Sequence, residues 1–196
     1  MKKKKKVMIQ LIIVVMLSFS FACGTKRGVV AKVQKNPDDV KLLKEVIKVQ
    51  RDKGARICTD LDNRNYYVWN KKTGRIEKID WTDCKIKGEL CLKNLNTLKE
   101  FKCTYNQITK LKMSNMKALT KIDCEYNEIK NVKFVKLKNI KVLYLAYNKI
   151  SKIKTSNLKT LVQLDCSNNK IKKLKVENLK FLRILQCAET VSYTHL

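Results

Sequence analysis

The nine residues LTKIDCEYN, from Leu119 to Asn127, occur in closely similar form four times along the chain. The other three copies are LKEFKCTYN at 98–106, IKVLYLAYN at 140–148 and LVQLDCSNN at 161–169, which places Asn106, Asn127, Asn148 and Asn169 21 residues apart. A fixed period of roughly 20–29 residues with this spacing of apolar residues and asparagine is typical of a solenoid with one short strand per turn. The sequence therefore predicts that the copies stack as successive turns of one structure.

A fifth copy precedes these four, and the start of a sixth follows them. Residues 76–86 match the frame with Cys84 in the asparagine position, and residues 182–187 begin a further turn. The apolar side chains at positions 1, 4, 6 and 11 of each turn are predicted to point inward, and the asparagine at position 9 is predicted to bond backbone groups after the strand. The tripeptides LKM, VKF, IKT and LKV, which begin at 111, 132, 153 and 174, alternate with period two. This alternation predicts that the far side of each turn is extended and not a long helix.

The segment before the repeats starts with a helix signal. Asn36-Pro37-Asp38-Asp39 offers a capping side chain, a proline in the first turn and two acids that complement the helix dipole. Val40, Leu43, Val46 and Ile47 then recur at helical spacing, and Gly54 is a natural stop. We predict that residues 36–75 form an N-terminal helix and cap.

The repeats resemble bacterial leucine-rich repeat proteins of the 21-residue L-x-x-L-x-C-x-x-N type. The resemblance covers residues 76–190 and predicts an α/β fold of the leucine-rich repeat class. In that fold a right-handed solenoid carries a parallel β-sheet on its concave face, an extended or short irregular convex side and an N-terminal helical cap. The resemblance implies a surface-exposed or secreted binding protein and no catalytic activity.

The two ends of the chain have sequence features that do not belong to the repeats. Five lysines, an apolar stretch and small residues up to Ala22 predict a signal peptide at 1–22. Cleavage there leads either to a lipid-modified Cys23, which would anchor the chain to a membrane, or to ordinary release, and residues 23–35 are a basic tether in both cases. Residues 191–196, VSYTHL, resemble a translated sequencing adapter, so we expect a non-native tail that follows a chain interrupted near Thr190.

The charge of the chain is strongly positive and comes mainly from lysine. The formal net charge is +27, and removal of the five signal-peptide lysines leaves 27 − 5 = +22. Such a field favours anionic neighbours, which makes binding of a polyanion by convex lysines one alternative function. Nucleic acid is not favoured, because only six of the 44 basic residues are arginine and lysine suits specific phosphate recognition poorly. A merely solvated basic surface is the simpler interpretation.

The eight cysteines do not predict a catalytic or metal site. Cys103, Cys124, Cys166 and Cys187 share position 6 with Leu145, so we interpret them as small apolar core residues. A disulfide remains open in the cap region, among Cys58, Cys84 and Cys91. The only histidine, His195, lies in the suspect tail, and no paired cysteine spacing suits zinc. No catalytic residue, cofactor or metal is expected.

A binding surface is predicted on the concave face, where positions 3, 5, 7 and 8 of the turns should point outward. These positions hold three basic and seven acidic residues, which gives 3 − 7 = −4. The ligand-binding candidates are Tyr105, Asp123, Glu125, Tyr126, Tyr144, Tyr147 and Asp165. Aligned tyrosines and acids suit a protein or carbohydrate ligand with basic or polar groups. Two alternatives stay open: repetition alone aligns the tyrosines, or the chain is a spacer that displays a missing C-terminal domain.

Overall fold

The computed structural model describes residues 32–176 and 178–190, without the side chain of Asn157. The predicted signal peptide, Cys23 with its predicted lipid, the tether up to residue 31 and the tail at 191–196 lie outside the described residues. All elements named here belong to one compact unit that begins at Val33. None of the helices within the described ranges has the length and apolarity needed to cross a membrane.

Helix α1, Pro37–Arg51, begins where the sequence predicts. The Asn36 side chain accepts hydrogen bonds from the backbone N–H groups of Asp38 and Asp39, and Leu43 and Ile47 are buried on its inner face. Asp39 lies in the first turn as predicted, and it also makes a contact that the local sequence does not predict. Its carboxylate is fully buried, accepts a hydrogen bond of 3.0 Å from the backbone N–H of Ile76 and lies 3.1 Å from the Arg75 guanidinium. Asp39 thus fastens the helix to the first turn of the repeats.

The main sheet has seven strands, one from the cap and one from each turn. They are β1 Tyr67–Trp69, β2 Ile76–Asp80, β4 Glu100–Lys102, β6 Lys121–Asp123, β8 Val142–Tyr144, β9 Gln163–Asp165 and β10 Ile184–Gln186, in the spatial order β1-β2-β4-β6-β8-β9-β10. Strand β1 is antiparallel to β2, and every later pair is parallel. Residues one period apart stand side by side, as in the pairing of Phe101 with Ile122 and of Ile122 with Leu143. The predicted parallel-sheet solenoid is confirmed.

A second parallel sheet covers the far side of the first turns. It contains β3 Lys87–Lys93, β5 Gln107–Ser114 and β7 Asn131–Val135, so the prediction of an extended far side is confirmed there. In the next turn a 3-10 turn, Thr155–Asn157, takes the place of a strand. Thr155 stands where Met113 and Phe134 stand in the earlier turns, and its hydroxyl donates a 2.7 Å hydrogen bond to the Lys175 carbonyl. The Thr155 side chain thus bonds the following turn at the place where Met113 and Phe134 pair through the backbone.

The core consists of the four apolar positions of each turn, as predicted. In the four turns that start at Ile76, Leu98, Leu119 and Ile140, the side chains at positions 1, 4, 6 and 11 are almost completely buried. A turn has one inward face and cannot bury it alone, so burial depends on the neighbouring turns. Position 6 accepts tryptophan, cysteine or leucine because a buried thiol packs as a small apolar group.

The asparagines at position 9 join successive turns. The Asn127 side-chain oxygen accepts a 3.0 Å hydrogen bond from the backbone N–H of Ile108, and its amide nitrogen donates to the carbonyls of Cys103, Cys124 and Glu125. Asn106 and Asn148 make the same contacts one turn before and one turn after. In the final turn the hydroxyl of Thr190 accepts from the Ile171 N–H at 3.4 Å, so it supplies the acceptor that asparagine supplies elsewhere.

The cysteines of the described residues are free thiols, and three of those at position 6 are completely buried. Cys103 and Cys124 lie in adjacent turns with their sulfur atoms 2.7 Å apart. Burial raises the pKa of Cys103 well above its usual range and raises that of Cys166 to about 12. The interpretation of these residues as core groups is therefore confirmed for Cys103, Cys124 and Cys166, while Cys187 is only half-buried.

Candidate binding face

The outward-facing side chains of the main sheet form columns across the strands. At position 3 the column begins with Lys78, Glu100 and Lys121, and Glu100 lies 2.6 Å from the first lysine and 3.2 Å from the second. These charges balance one another locally. The pKa of Glu100 is accordingly lowered, first by its contact with Lys78 and also by Lys121. The column at position 3 therefore offers little net charge to a ligand.

The neighbouring column, at position 5, gathers carboxylates around a tyrosine. Tyr144 pairs in register with Asp123 on one side and Asp165 on the other. Glu125 follows two residues after Asp123 and feels the negative charge of both aspartates. We call Asp123, Glu125 and Asp165 the acidic patch. Lys121 lies 5.8 Å from the centroid of the Tyr144 ring, a contact that the sequence analysis missed because it joins different columns of adjacent strands.

Two acids of the acidic patch, Asp123 and Glu125, have raised pKa values. The pKa of Asp123 is raised from 3.8, first because burial disfavours its charge, and its Oδ1 atom has no hydrogen-bond partner in the described part of the chain. The pKa of Glu125 is raised as well, first by burial and then by repulsion from Asp123 and Asp165. The charges of Lys102 and Lys121 offset part of this effect at Asp123, and that of Lys102 does so at Glu125.

Three tyrosines at position 8 form a continuous stack, which we call the tyrosine ladder. The rings of Tyr105 and Tyr126 are 4.6 Å apart at an angle of 9°, and those of Tyr126 and Tyr147 are 4.4 Å apart at 8°. The three side chains remain 57%, 38% and 48% exposed. Stacking covers both faces of the central ring, so the ladder presents ring edges and a row of hydroxyl groups to the outside.

The backbone of the tyrosine ladder is in a conformation that tyrosine disfavours. Tyr105, Tyr126 and Tyr147 have φ values of 56°, 53° and 55°, in the left-handed region. A residue other than glycine or asparagine costs about 1–2 kcal/mol in this region, whereas a stacked aromatic pair contributes about 0.5–1.5 kcal/mol beyond its burial. The same left-handed φ recurs at position 8 of the other turns, in Asp83, Asn168 and Glu189. The conformation therefore belongs to the repeat frame, and stacking offsets part of its cost at the tyrosines.

The structure separates the predicted site residues into two neighbouring groups. Tyr105, Tyr126 and Tyr147 form the ladder, while Asp123, Glu125, Tyr144 and Asp165 lie on or beside the position 5 column. The prediction that position 7 also points outward is wrong for three turns, because Thr104, Ala146 and Ser167 are buried. The chain turns inward directly after the strand, and the hydroxyl of Thr104 lies 3.1 Å from that of Thr82 in the adjacent turn.

A small cleft at the cap end of the main sheet was also missed by the sequence analysis. Its volume is about 150 Å³, and it lies between the segment 64–68 and the first two repeat strands. Arg64 and Tyr66 line one side, and Asp80 and Lys102 line the other. The antiparallel pairing of β1 with β2 creates it, and nothing in the repeat frame signals that pairing.

The opposite pKa shifts of two face residues predict opposite pH effects. A raised pKa means that the charged Asp123 destabilises the fold at neutral pH, and the penalty disappears as the pH falls through that pKa. Asp123→Asn should therefore raise the free energy of unfolding at pH 7 by less than about 1 kcal/mol, the scale of single charge contacts near a surface. The gain should vanish in acid.

Glu100→Gln is the matched control with the opposite sign. The lowered pKa of Glu100 means that its charge stabilises the fold above the unfolded-state pKa, and this contribution is lost as the pH falls through the lower folded-state value. Urea unfolding of both variants from about pH 3 to pH 7, in steps of roughly half a pH unit, measures the two effects. Equal effects of the two substitutions at pH 7 would contradict the assignment.

Comparison with known proteins places this geometry in a familiar fold. Residues 138–180 match the family profile described as Leucine Rich repeats (2 copies). The LRR ectodomain of the receptor kinase SOBIR1 from Arabidopsis thaliana has a similar structure, with a TM-score of 0.56 and 18% identity over 81% of this chain and 96% of that chain. The fold is that of a leucine-rich repeat protein. A search of curated proteins finds no match to this chain.

Proposed function

We propose that this leucine-rich repeat protein binds a protein partner through the tyrosine ladder and the acidic patch, and that it has no catalytic role. The exposed row of stacked tyrosines carries the proposal. Position 8 has a left-handed backbone in each turn, and Asn168 occupies it in the next turn with a φ of 53°. Three large aromatic side chains that stay exposed beside carboxylates are typical of a protein-binding surface.

The ladder favours a protein over a carbohydrate ligand. Sugars pack on the open faces of aromatic rings, and stacking covers both faces of Tyr126 and one face each of Tyr105 and Tyr147. Ring edges and hydroxyl groups instead suit hydrogen bonds and apolar contacts with a polypeptide. A carbohydrate ligand, which the sequence analysis left open, is therefore the weaker proposal.

The acidic patch predicts the chemistry of the partner. Glu125 is repelled by both Asp123 and Asp165. A lysine or arginine of the partner would relieve this repulsion with a charge-assisted hydrogen bond. We infer that the partner presents a basic residue beside an apolar one, with the apolar side chain on the tyrosine ladder.

We further propose that the protein works outside the cytoplasm, anchored at the cell envelope by a lipid on Cys23. This proposal is supported by the five lysines, the apolar stretch and the small residues that precede Cys23 in the sequence. A lipid anchor followed by the basic tether of residues 23–35 would leave the repeats exposed to partners. Release without a lipid is the alternative.

The binding proposal is tested with a display library of random peptides, each of about 12 residues. Peptides are selected for binding to the wild-type chain. Peptides with a basic residue next to an apolar one should be enriched. Their affinity should fall at least about 10-fold for the double variant Tyr126→Asn with Tyr147→Asn, since ring anchors dominate such interfaces. The variant should remain folded because asparagine accepts the left-handed conformation.

Lys133→Ala provides the matched control, because Lys133 is exposed on the second sheet. It should leave peptide affinity unchanged. The proposal fails if the selected peptides bind the double tyrosine variant as tightly as the wild-type chain while circular dichroism shows both to be folded.

A further inference from the structure

Acidic residues neutralise lysines in the first turns but not in the last ones. Glu89 contacts Lys110 and Lys112 on the second sheet, and Glu128 contacts Lys149. From position 149 to 190 the sequence has ten basic and three acidic residues. Two of those acids, Asp165 and Glu189, occupy positions 5 and 8 of the main-sheet turns. The third, Glu177, lies outside the described residues.

The unneutralised lysines of these turns surround a cleft. It has a volume of about 520 Å³ and lies where the second sheet ends and the 3-10 turn replaces a strand. Lys152, Lys154, Lys172, Lys173 and Lys175 line it, all of them exposed. The residues described around the cleft include no acid. None of the five lysines makes an ion pair with a described residue.

Hydroxyl groups complete the lining. Ser151 and Ser156 stand at the cleft beside the lysines and offer neutral hydrogen bonds to oxyanions or sugars. The hydroxyl of Thr155 is already used, because it donates to the Lys175 carbonyl and holds the two turns together at this place. The cleft thus joins two successive turns and carries positive charge from both.

We propose that this lysine cleft binds a linear polyanion that carries sulfate or phosphate groups along a sugar-like or inorganic chain. Several mobile lysines attract such a chain by releasing its counterions and require no fixed geometry of the anion. The lysine cleft lies apart from the tyrosine ladder and carries positive charge, whereas the outward positions of the main sheet have a net charge of −4. A bound polyanion would therefore leave the acidic patch free for its protein partner.

The lining does not favour nucleic acid. Single-stranded nucleic acids bind through bases stacked on aromatic rings as well as through phosphates. Neither an aromatic residue nor an arginine is present among the described residues that line the cleft. A polymer without bases can bind through the lysines and hydroxyl groups of the cleft alone. The bases of a nucleic acid would have no aromatic ring of the cleft to stack on.

Titration of the full chain with heparin and with inorganic polyphosphate tests the proposal at about 0.15 M salt. The triple variant Lys152→Gln, Lys173→Gln and Lys175→Gln should lose at least about 10-fold in affinity for one or both probes and show a shallower salt dependence. The matched triple Lys87→Gln, Lys93→Gln and Lys133→Gln removes the same charge from exposed positions on the second sheet and should lose less than about 3-fold.

Equal losses in the two triple variants would overturn the proposal, because diffuse charge alone would then explain binding. Binding of single-stranded DNA of about 20 nucleotides, tighter than that of both probes, would overturn the exclusion of nucleic acid. If only the affinity for heparin falls, the cleft binds sulfate groups. If only the affinity for polyphosphate falls, it binds phosphate groups. The peptides that test the tyrosine ladder should bind the cleft variant with unchanged affinity, which separates the two sites.

Discussion

Replacement of Asn127 by alanine should lower the free energy of unfolding by about 2–4 kcal/mol. The substitution leaves the buried N–H of Ile108 without its acceptor, and it removes one of the two amide donors to the Cys103 carbonyl, which keeps the amide of Asn106. A buried group that loses its partner costs about 1–3 kcal/mol, and each further lost hydrogen bond costs about 1 kcal/mol. Urea unfolding followed by circular dichroism measures the change, which should also lower the thermal midpoint by roughly 10 °C.

Asn139→Ala is the matched control for this prediction. The Asn139 side chain also donates to a carbonyl one turn away, that of Lys117 at 2.7 Å, but it does so on the exposed surface where water replaces the lost bond. Its loss should cost less than about 1 kcal/mol. A cost for Asn127→Ala no larger than the control would show that the asparagine ladder is not what joins the turns.

Gly74→Ala should destabilise the protein by about 3–5 kcal/mol because it separates the cap helix from the repeats. Gly74 has a φ of 64°, and a Cβ atom there would lie only 2.0 Å from the backbone oxygen of Gln34. The same place holds the 2.7 Å hydrogen bond from the Asn36 N–H to the Gly74 carbonyl. Because the obstacle is backbone, the helix start has to move, and steric overlap of this kind adds to the conformational strain.

Gly54→Ala isolates the conformational part of that cost. Gly54 also has a positive φ, of 90°, but no atom lies within 4 Å of a Cβ built there. Strain alone should cost about 1–2 kcal/mol. Thermal unfolding should therefore show a clearly larger loss for Gly74→Ala, and equal losses would contradict the close docking of the helix start.

The repeat frame predicts most of the fold because one constraint recurs at every turn. The burial of Ile122 and Leu143 and the role of Asn127 all follow from position within a period of 21 residues. The helix start at Asn36 was also predictable, since capping depends on local sequence. Contacts set by partners distant in sequence were not, and the burial of Asp39 against Arg75 and the Ile76 backbone is the clearest case.

The candidate site was predicted as a set of residues but not as an arrangement. Equal spacing aligns Tyr105, Tyr126 and Tyr147, yet the sequence does not show that their backbone is left-handed or that their ring faces cover one another. Because the ring faces cover one another, the ladder presents mainly ring edges and hydroxyl groups to the outside. The lysine cleft could not be predicted either, because it depends on where the second sheet ends.

Fluorine NMR of the chain labelled with 3-fluorotyrosine tests the central claim most directly. The sequence has seven tyrosines, and substitution to phenylalanine assigns each resonance. A selected peptide should shift the resonances of Tyr105, Tyr126, Tyr144 and Tyr147 and leave those of Tyr66 and Tyr67 in the cap unchanged. Shifts confined to the two cap tyrosines, with the ladder resonances unmoved at saturation, would contradict binding by the tyrosine ladder and the acidic patch.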